Sequence, residues 1–164
     1  MLENHEIESW FDLRLAALKD APAAFLETVD EAKQFGFEPY LQRLIEGGKD
    51  NVLFGCWNRE KIVGSVGVVK NTRKKLSHSA FIWGVYIMPD DRRKGIARML
   101  MNQAIIYAKE TMKVRVIHLS VAESQIAATQ LYVSLGFEIW GRQPNAICVG
   151  DLVYHELHMS KQIP

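Results

Sequence analysis

Cysteine is scarce: only Cys56 and Cys148 occur in 164 residues. Two thiols are too few for a disulfide scaffold or a structural zinc site, and no metal is expected. They read instead as small, mostly buried apolar residues in a reducing compartment. No apolar run reaches the ~18 residues of a membrane-spanning helix, so no membrane partner is expected. The opening Met1-Leu2-Glu3-Asn4-His5-Glu6 is acidic and polar, unlike a secretory signal, and the expected location is the cytoplasm. Charge of one sign is lacking too: the formal net charge is +1, which removes the general pull toward nucleic acid. Linkers, repeats and low-complexity tracts are missing, so one domain is expected over 1–164. With 48% apolar and 24% charged residues the balance is that of a globular chain rather than a disordered one.

What is present is patterned. Ile7, Trp10, Phe11, Leu13, Leu15, Ala17 and Leu18 recur at helical spacing and stop at Asp20 and Pro22. A second amphipathic stretch runs from Glu31 to Ile45 and ends at Gly47-Gly48, with a loop or broken helix between the two. Three strand-like runs follow: Val52–Trp57, Ile62–Val69 and Ser77–Met88. The basic run Lys70, Arg73, Lys74, Lys75 reads as a solvated hairpin tip. After Met88-Pro89 the pattern alternates: a helix Gly95–Thr111, a buried strand Val114–Val121, and a helix Ser124–Leu135 closed by Gly136. Phe137–Trp140 and Asp151–Met159 read as two last strands. A meander followed by a βαβα unit predicts an α+β or mixed-sheet α/β domain.

The stretch from Val85 to Arg98 carries the chemistry. A strand stops at Pro89, and six residues later Gly95 opens a helix behind a cationic loop. The first N–H groups of a helix have no internal partner, and the dipole adds to their pull on anions. Gly95, with no Cβ, and the small Ala97 let a bulky anion approach, while Arg92, Arg93, Lys94 and Arg98 add charge. Cations at a helix start oppose its dipole by a few tenths of a kcal/mol each, so their clustering favours an anion ligand. The pattern is neither a Walker loop nor a dinucleotide fingerprint.

Arg92-x-x-Gly95-x-Ala97 behind strand and proline resembles the acyl-CoA signature of the GCN5-related N-acetyltransferases. Ala128-x-x-Leu131-Tyr132 with Leu135-Gly136-Phe137, and Leu13-Arg14-Leu15-x-Ala17-Leu18-Lys19-Asp20-x-Pro22-x-Ala24-Phe25, resemble two further stretches of that family. The resemblance implies a mixed, mostly antiparallel sheet flanked by about four helices and splayed between the fourth and fifth strands. It implies acetyl-CoA as cosubstrate. The pyrophosphate would lie on the amides of Arg92, Arg93, Lys94, Gly95, Ile96, Ala97 and Arg98. The pantetheine arm would lie along Val85 and Ile87 like an added strand. Gln125 stands where the family often has Asn. A first strand usually precedes the first helix, but few residues precede Ile7 here.

By the same resemblance Tyr132 is the general acid that protonates the departing thiolate; a phenol of pKa ~10 keeps its proton at neutral pH. Glu123 and Glu27 are candidate bases, His118 reads as a core histidine, and a water chain is a further possibility. The acceptor site is expected at Pro22–Thr28 and Trp140–Tyr154, where Trp140, Arg142, Asn145, Asp151 and Tyr154 suit a cationic or amphipathic amine, small or peptidic. A homodimer is common in the family. A non-catalytic acyl-CoA-binding module on the same fold is the alternative.

Overall fold

The computed structural model describes residues 1–164. Helix α1 (Ile7–Asp20) buries Ile7, Trp10, Leu13, Ala17 and Leu18, the stripe its spacing predicts. A short 3-10 turn at Pro22–Ala24 follows. The single helix expected from Glu31 to Ile45 is two. Helix α2 (Val29–Phe35) starts at a capping box: Glu31 N–H donates to Thr28 Oγ1 at 3.2 Å, and Thr28 N–H donates to Glu31 Oε2 at 2.8 Å. It ends at Gly36, and α3 (Glu38–Gly47) restarts with Pro39 in its first turn. Pro39 has no N–H and would clash with the preceding turn, so the periodicity continues while the helix cannot.

Six strands form one sheet: β1 (Asn51–Asn58), β2 (Lys61–Lys70), β3 (Ser79–Ile87), β4 (Val116–Ala122), β5 (Glu138–Val149) and β6 (Leu152–Gln162), in the order β1-β2-β3-β4-β6-β5. Only β3 and β4 are parallel. Helix α4 (Ile96–Glu110) joins them, and α5 (Ile126–Ser134) joins β4 to β5. Five helices flank the sheet, one more than expected, because the second splits at Gly36-Phe37. No strand precedes α1; Leu2 N–H makes one hydrogen bond of 2.7 Å to the Leu53 carbonyl on β1. The strands expected as fourth and fifth are therefore β3 and β4 of this chain.

The largest departure is β5. The sequence pattern ends it at Trp140, but the strand continues to Val149, because β6 pairs with it along its length. The turn-like residues Gly141, Pro144 and Asn145 are absorbed at two register shifts, with Asn145 at φ 54°. The residues from 141 to 149, read from the sequence as lying between the last two strands, are thus part of β5.

The sheet is buried on both faces over β1–β3. Val52 and Phe54 point to α4, with Val66, Val68, Ile82, Leu100, Met101 and Ala104. Leu53, between them, points to Trp10 and Tyr40 on the other side, with Ile62 and Tyr86. No helix is long and apolar enough to cross a membrane. Gly67 on β2 lies under the Trp83 ring, where an added Cβ would come within 2.1 Å of a ring carbon. Gly67→Val should therefore destabilise the fold by about 1–3 kcal/mol through overpacking, read as a lower urea midpoint at unchanged m-value.

Candidate functional site

The sheet opens between its two parallel strands. β3 and β4 pair only from Ser79–Phe81 to Val116–His118, then part. Just past that point β3 carries a bulge. Two residues, Gly84 and Val85, stand where β2 has only Val66, and Gly84 adopts φ 63°. Ser65 Oγ donates to the Gly84 carbonyl at 3.2 Å and holds the bulge against β2. Beyond it, Met88 N–H donates to Val63 O on β2, so the backbone groups of Ile87 face away from β2, toward the opening. A cleft of about 1570 Å³ fills the space, lined by Trp83–Ile87 on one wall and Leu119–Ala122 on the other.

The helix start behaves as its residues predict. The six amides from Arg93 to Arg98 donate to no main-chain carbonyl, and no side chain caps the helix. Gly95 sits at φ 80° in the left-handed region, which a side chain resists. A Cβ on it would meet no protein atom within 4 Å, so the open side faces the cleft rather than the core. The cations divide their work. Arg93 and Arg98 line the cleft, Arg98 with a 2.8 Å bond to Ser134 Oγ. Lys94 turns instead to the buried Asp91 at 2.8 Å. Arg92 donates through Nε to Ile87 O at 3.0 Å and pairs with Asp20, so its guanidinium ties β3 to the end of α1.

Helix α5 supplies the far wall. Ala128, Leu131 and Tyr132 share one face and line the cleft, and Gln125 at the N-cap lines it too. Tyr132 is 5% exposed, and burial alone pushes its phenol well above the ordinary value.

The base candidates separate. Glu123 lies outside the cleft lining. Arg142 grips both its oxygens, at 3.0 and 2.8 Å, and that bond holds its carboxyl below the usual range. It is placed as an ionised partner of a cation, not as a proton acceptor in the cleft. Glu27 does line the cleft, hydrogen-bonded by Arg14 at 3.2 Å and by the Tyr40 hydroxyl. His118 lies in a smaller groove of about 530 Å³, where burial, then His78, lowers its pKa.

Of the expected acceptor residues, Phe25, Leu26 and Glu27 line the cleft, whereas Trp140, Arg142, Asn145, Asp151 and Tyr154 do not. Trp140, Arg142 and Asn145 lie on β5, Asp151 in the turn and Tyr154 early on β6, all beyond the opening. Ser120 and Glu156 do reach it and were missed from sequence. The polar alternation Tyr154, Glu156, His158, Ser160 was visible on β6. That no helix covers this stretch of the sheet was not.

Residues 10–137 match the profile of the Acetyltransferase (GNAT) family, and the chain belongs to that family. Human N-acetyltransferase 8 is 26% identical over 108 residues, 65% of this chain. That match spans only 47% of the human protein, about half its length. Among solved structures, yncA of Salmonella typhimurium, solved with its cofactor acetyl-CoA, superposes with a TM-score of 0.82 at 17% identity, over 99% of this chain and 91% of that one. Ribosomal-protein-alanine N-acetyltransferase from Brucella melitensis gives 0.78 at 20% identity, over 99% and 97%. At such identities the likeness is one of fold.

At the mouth of the cleft the Tyr86 hydroxyl donates to Asp20 at 3.1 Å, and burial, then Asp20, pushes its phenol up to about 12. A folded-state pKa above the unfolded value gives stability that is full below ~10 and lost as pH rises through the folded value. Wild type should thus melt above Tyr86→Phe at pH 8, and the gap should close between pH 10 and 12 in a melting series.

Proposed function

We propose that this chain transfers an acetyl group from acetyl-CoA to a primary amine, on a small molecule or a peptide. The observation that carries the reading is the run of six unpaired amides around Gly95, opening into a cleft between parted strands. A diphosphate suits that donor set, because its several oxygens can accept from a run of N–H groups and the dipole favours its charge. The amides of Arg93 to Arg98 would hold it, with the guanidinium groups of Arg93 and Arg98. The backbone of Val85 and Ile87 would take the extended arm as an added strand, with Gln125 across the gap. Bound there, acetyl-CoA supplies a thioester-activated acetyl group.

Tyr132 holds its proton firmly on Oη, because burial disfavours the phenolate. It is therefore protonated throughout the neutral range, the state a general acid must be in, and the thiolate developing beside it is the group that would draw the proton off. Ala128 and Leu131 form an apolar wall beside it. On the acceptor side Glu27 and Glu156 offer negative charge and Phe25 and Trp83 offer aromatic faces, a lining suited to an ammonium group.

An amine panel with acetyl-CoA, read as thiol release, tests the reading. Transfer to at least one primary amine is expected; cofactor binding without turnover on any amine would point to the non-catalytic module. Tyr132→Phe should lose about 100-fold in kcat while acetyl-CoA affinity stays within about twofold, the loss expected of a removed general acid. A variant as fast as wild type would remove Tyr132 from the mechanism. Arg93→Ala and Arg98→Ala should each weaken coenzyme A binding about tenfold in calorimetry, the size of one lost charge-assisted hydrogen bond. Lys94→Ala should lose far less, since its ammonium is engaged by Asp91.

A further inference from the structure

Amine acetylation needs a proton acceptor as well as an acid. A primary amine of pKa ~10.4 is protonated roughly 2500-fold over at pH 7, and its nitrogen cannot attack until that proton leaves. Glu123 is held by Arg142, and Glu27 already accepts from Arg14 and Tyr40. The uncovered face of the sheet carries another group of residues. Ser120 on β4 lines the main cleft and also the smaller groove beside it. Extending the β3–β4 register past its last rung would place it opposite Trp83, where the strands begin to part. Its Oγ lies 2.9 Å from His158 Nδ1 on β6, and His158 Nε2 lies 3.2 Å from Gln143 Oε1 on β5. The Trp140 ring stacks on the imidazole with centroids 5.4 Å apart.

We propose that Ser120 and His158 form the path by which the acceptor amine loses its proton, with Gln143 and Trp140 as positioning residues. The proposal rests on the acetyl-transfer reading above. The tautomer follows from the hydrogen bonds. Gln143 Oε1 can only accept, so Nε2 carries the hydrogen and Nδ1 keeps its lone pair for the Ser120 hydroxyl. The ammonium N–H bond breaks and its proton goes to Ser120 Oγ. The Ser120 O–H bond breaks in the same movement and that proton goes to His158 Nδ1. The electron pair stays on the amine nitrogen. The imidazolium, facing the Trp140 ring, then releases a proton to water in the smaller groove, which also has Ser120 and His118 in its lining.

Other charged or titratable groups face this histidine. Glu156 is the next residue on the same face of β6, and Glu138 on β5 pairs with the neighbouring Ser160. His118 on β4 also pairs with Ser160, and its lowered pKa keeps it neutral at pH 7. Lys70 on β2 borders the groove, with its ammonium on the Met112 carbonyl at 2.7 Å.

The test is the pH profile of kcat/KM, from pH 6 to 9.5, for an amine that wild type acetylates. His158→Gln and Ser120→Ala should each lose about 100-fold at pH 7 and recover most of it by pH 9.5, where roughly one amine in nine is already neutral. Tyr132→Phe should lose rate at both ends. Acetyl-CoA affinity within twofold of wild type shows that each variant is folded, and Ser120→Ala decides alone if His158→Gln is not. Folded variants that keep the pH 7 rate within twofold, or lose rate equally at every pH, would overturn the path and leave the acetyl-transfer reading standing. No transfer by wild type to any amine would overturn both.

Discussion

The parting of β3 from β4 is the constraint on which the site depends. Two parallel strands that stay paired leave no room for a ligand; two that separate inside a sheet expose backbone donors and acceptors that must find partners. Here the separation begins after three rungs. Its cause is local to β3, where Gly84 at φ 63° admits a bulge that Ser65 fastens from the neighbouring strand. A bulge increases local twist and bends the strand that carries it. The wall it turns outward presents the backbone of Ile87, the kind of edge that captures an extended chain.

Two helix starts are arranged around that wedge. Helix α4 begins where β3 ends and turns its unpaired amides into the gap. Helix α5 begins where β4 ends, with no side-chain cap at Gln125, so a second helix start faces the same space. The fold thus places two dipole ends and their free N–H groups at one opening, and binding falls mainly to backbone. Backbone positions are set by topology, which explains how chains of 17 and 20% identity share the architecture.

How much of this the sequence discloses depends on whether a feature is local. The order strand, Pro89, cationic loop, Gly95, helix is local, because each step follows from neighbours in the chain. The α5 end at Gly136 is local in the same way. The division of helices at Pro39 was also written locally, but a continuing apolar stripe masked it. The length of β5 was not local at all. Gly141, Pro144 and Asn145 look like turn formers, and only pairing with β6 carries the strand through them. Ser120, Gln143, Glu156 and His158 come together only through cross-strand register. The alternation of β6 shows that one face is polar without showing what lies over it.

The cationic loop shows the same limit at side-chain level. Four basic residues precede or open α4, and their charge alone would oppose the helix dipole. Asp91 and Asp20 resolve the conflict by engaging Lys94 and Arg92. Arg92 then does structural work, bonding the Ile87 carbonyl and lying over the Tyr86 ring with 5.6 Å to its centroid. Arg93 and Arg98 line the cleft without a carboxylate partner, whereas Arg92 borders it with its guanidinium held by Asp20. Part of the loop's positive charge is thus neutralised by carboxylates, and the six amides add to the attraction. That balance favours a ligand with several oxygens over a simple anion. A lone charge would satisfy two guanidinium groups, whereas a run of N–H donors along a turn is filled only by a ligand with oxygens spread along its length.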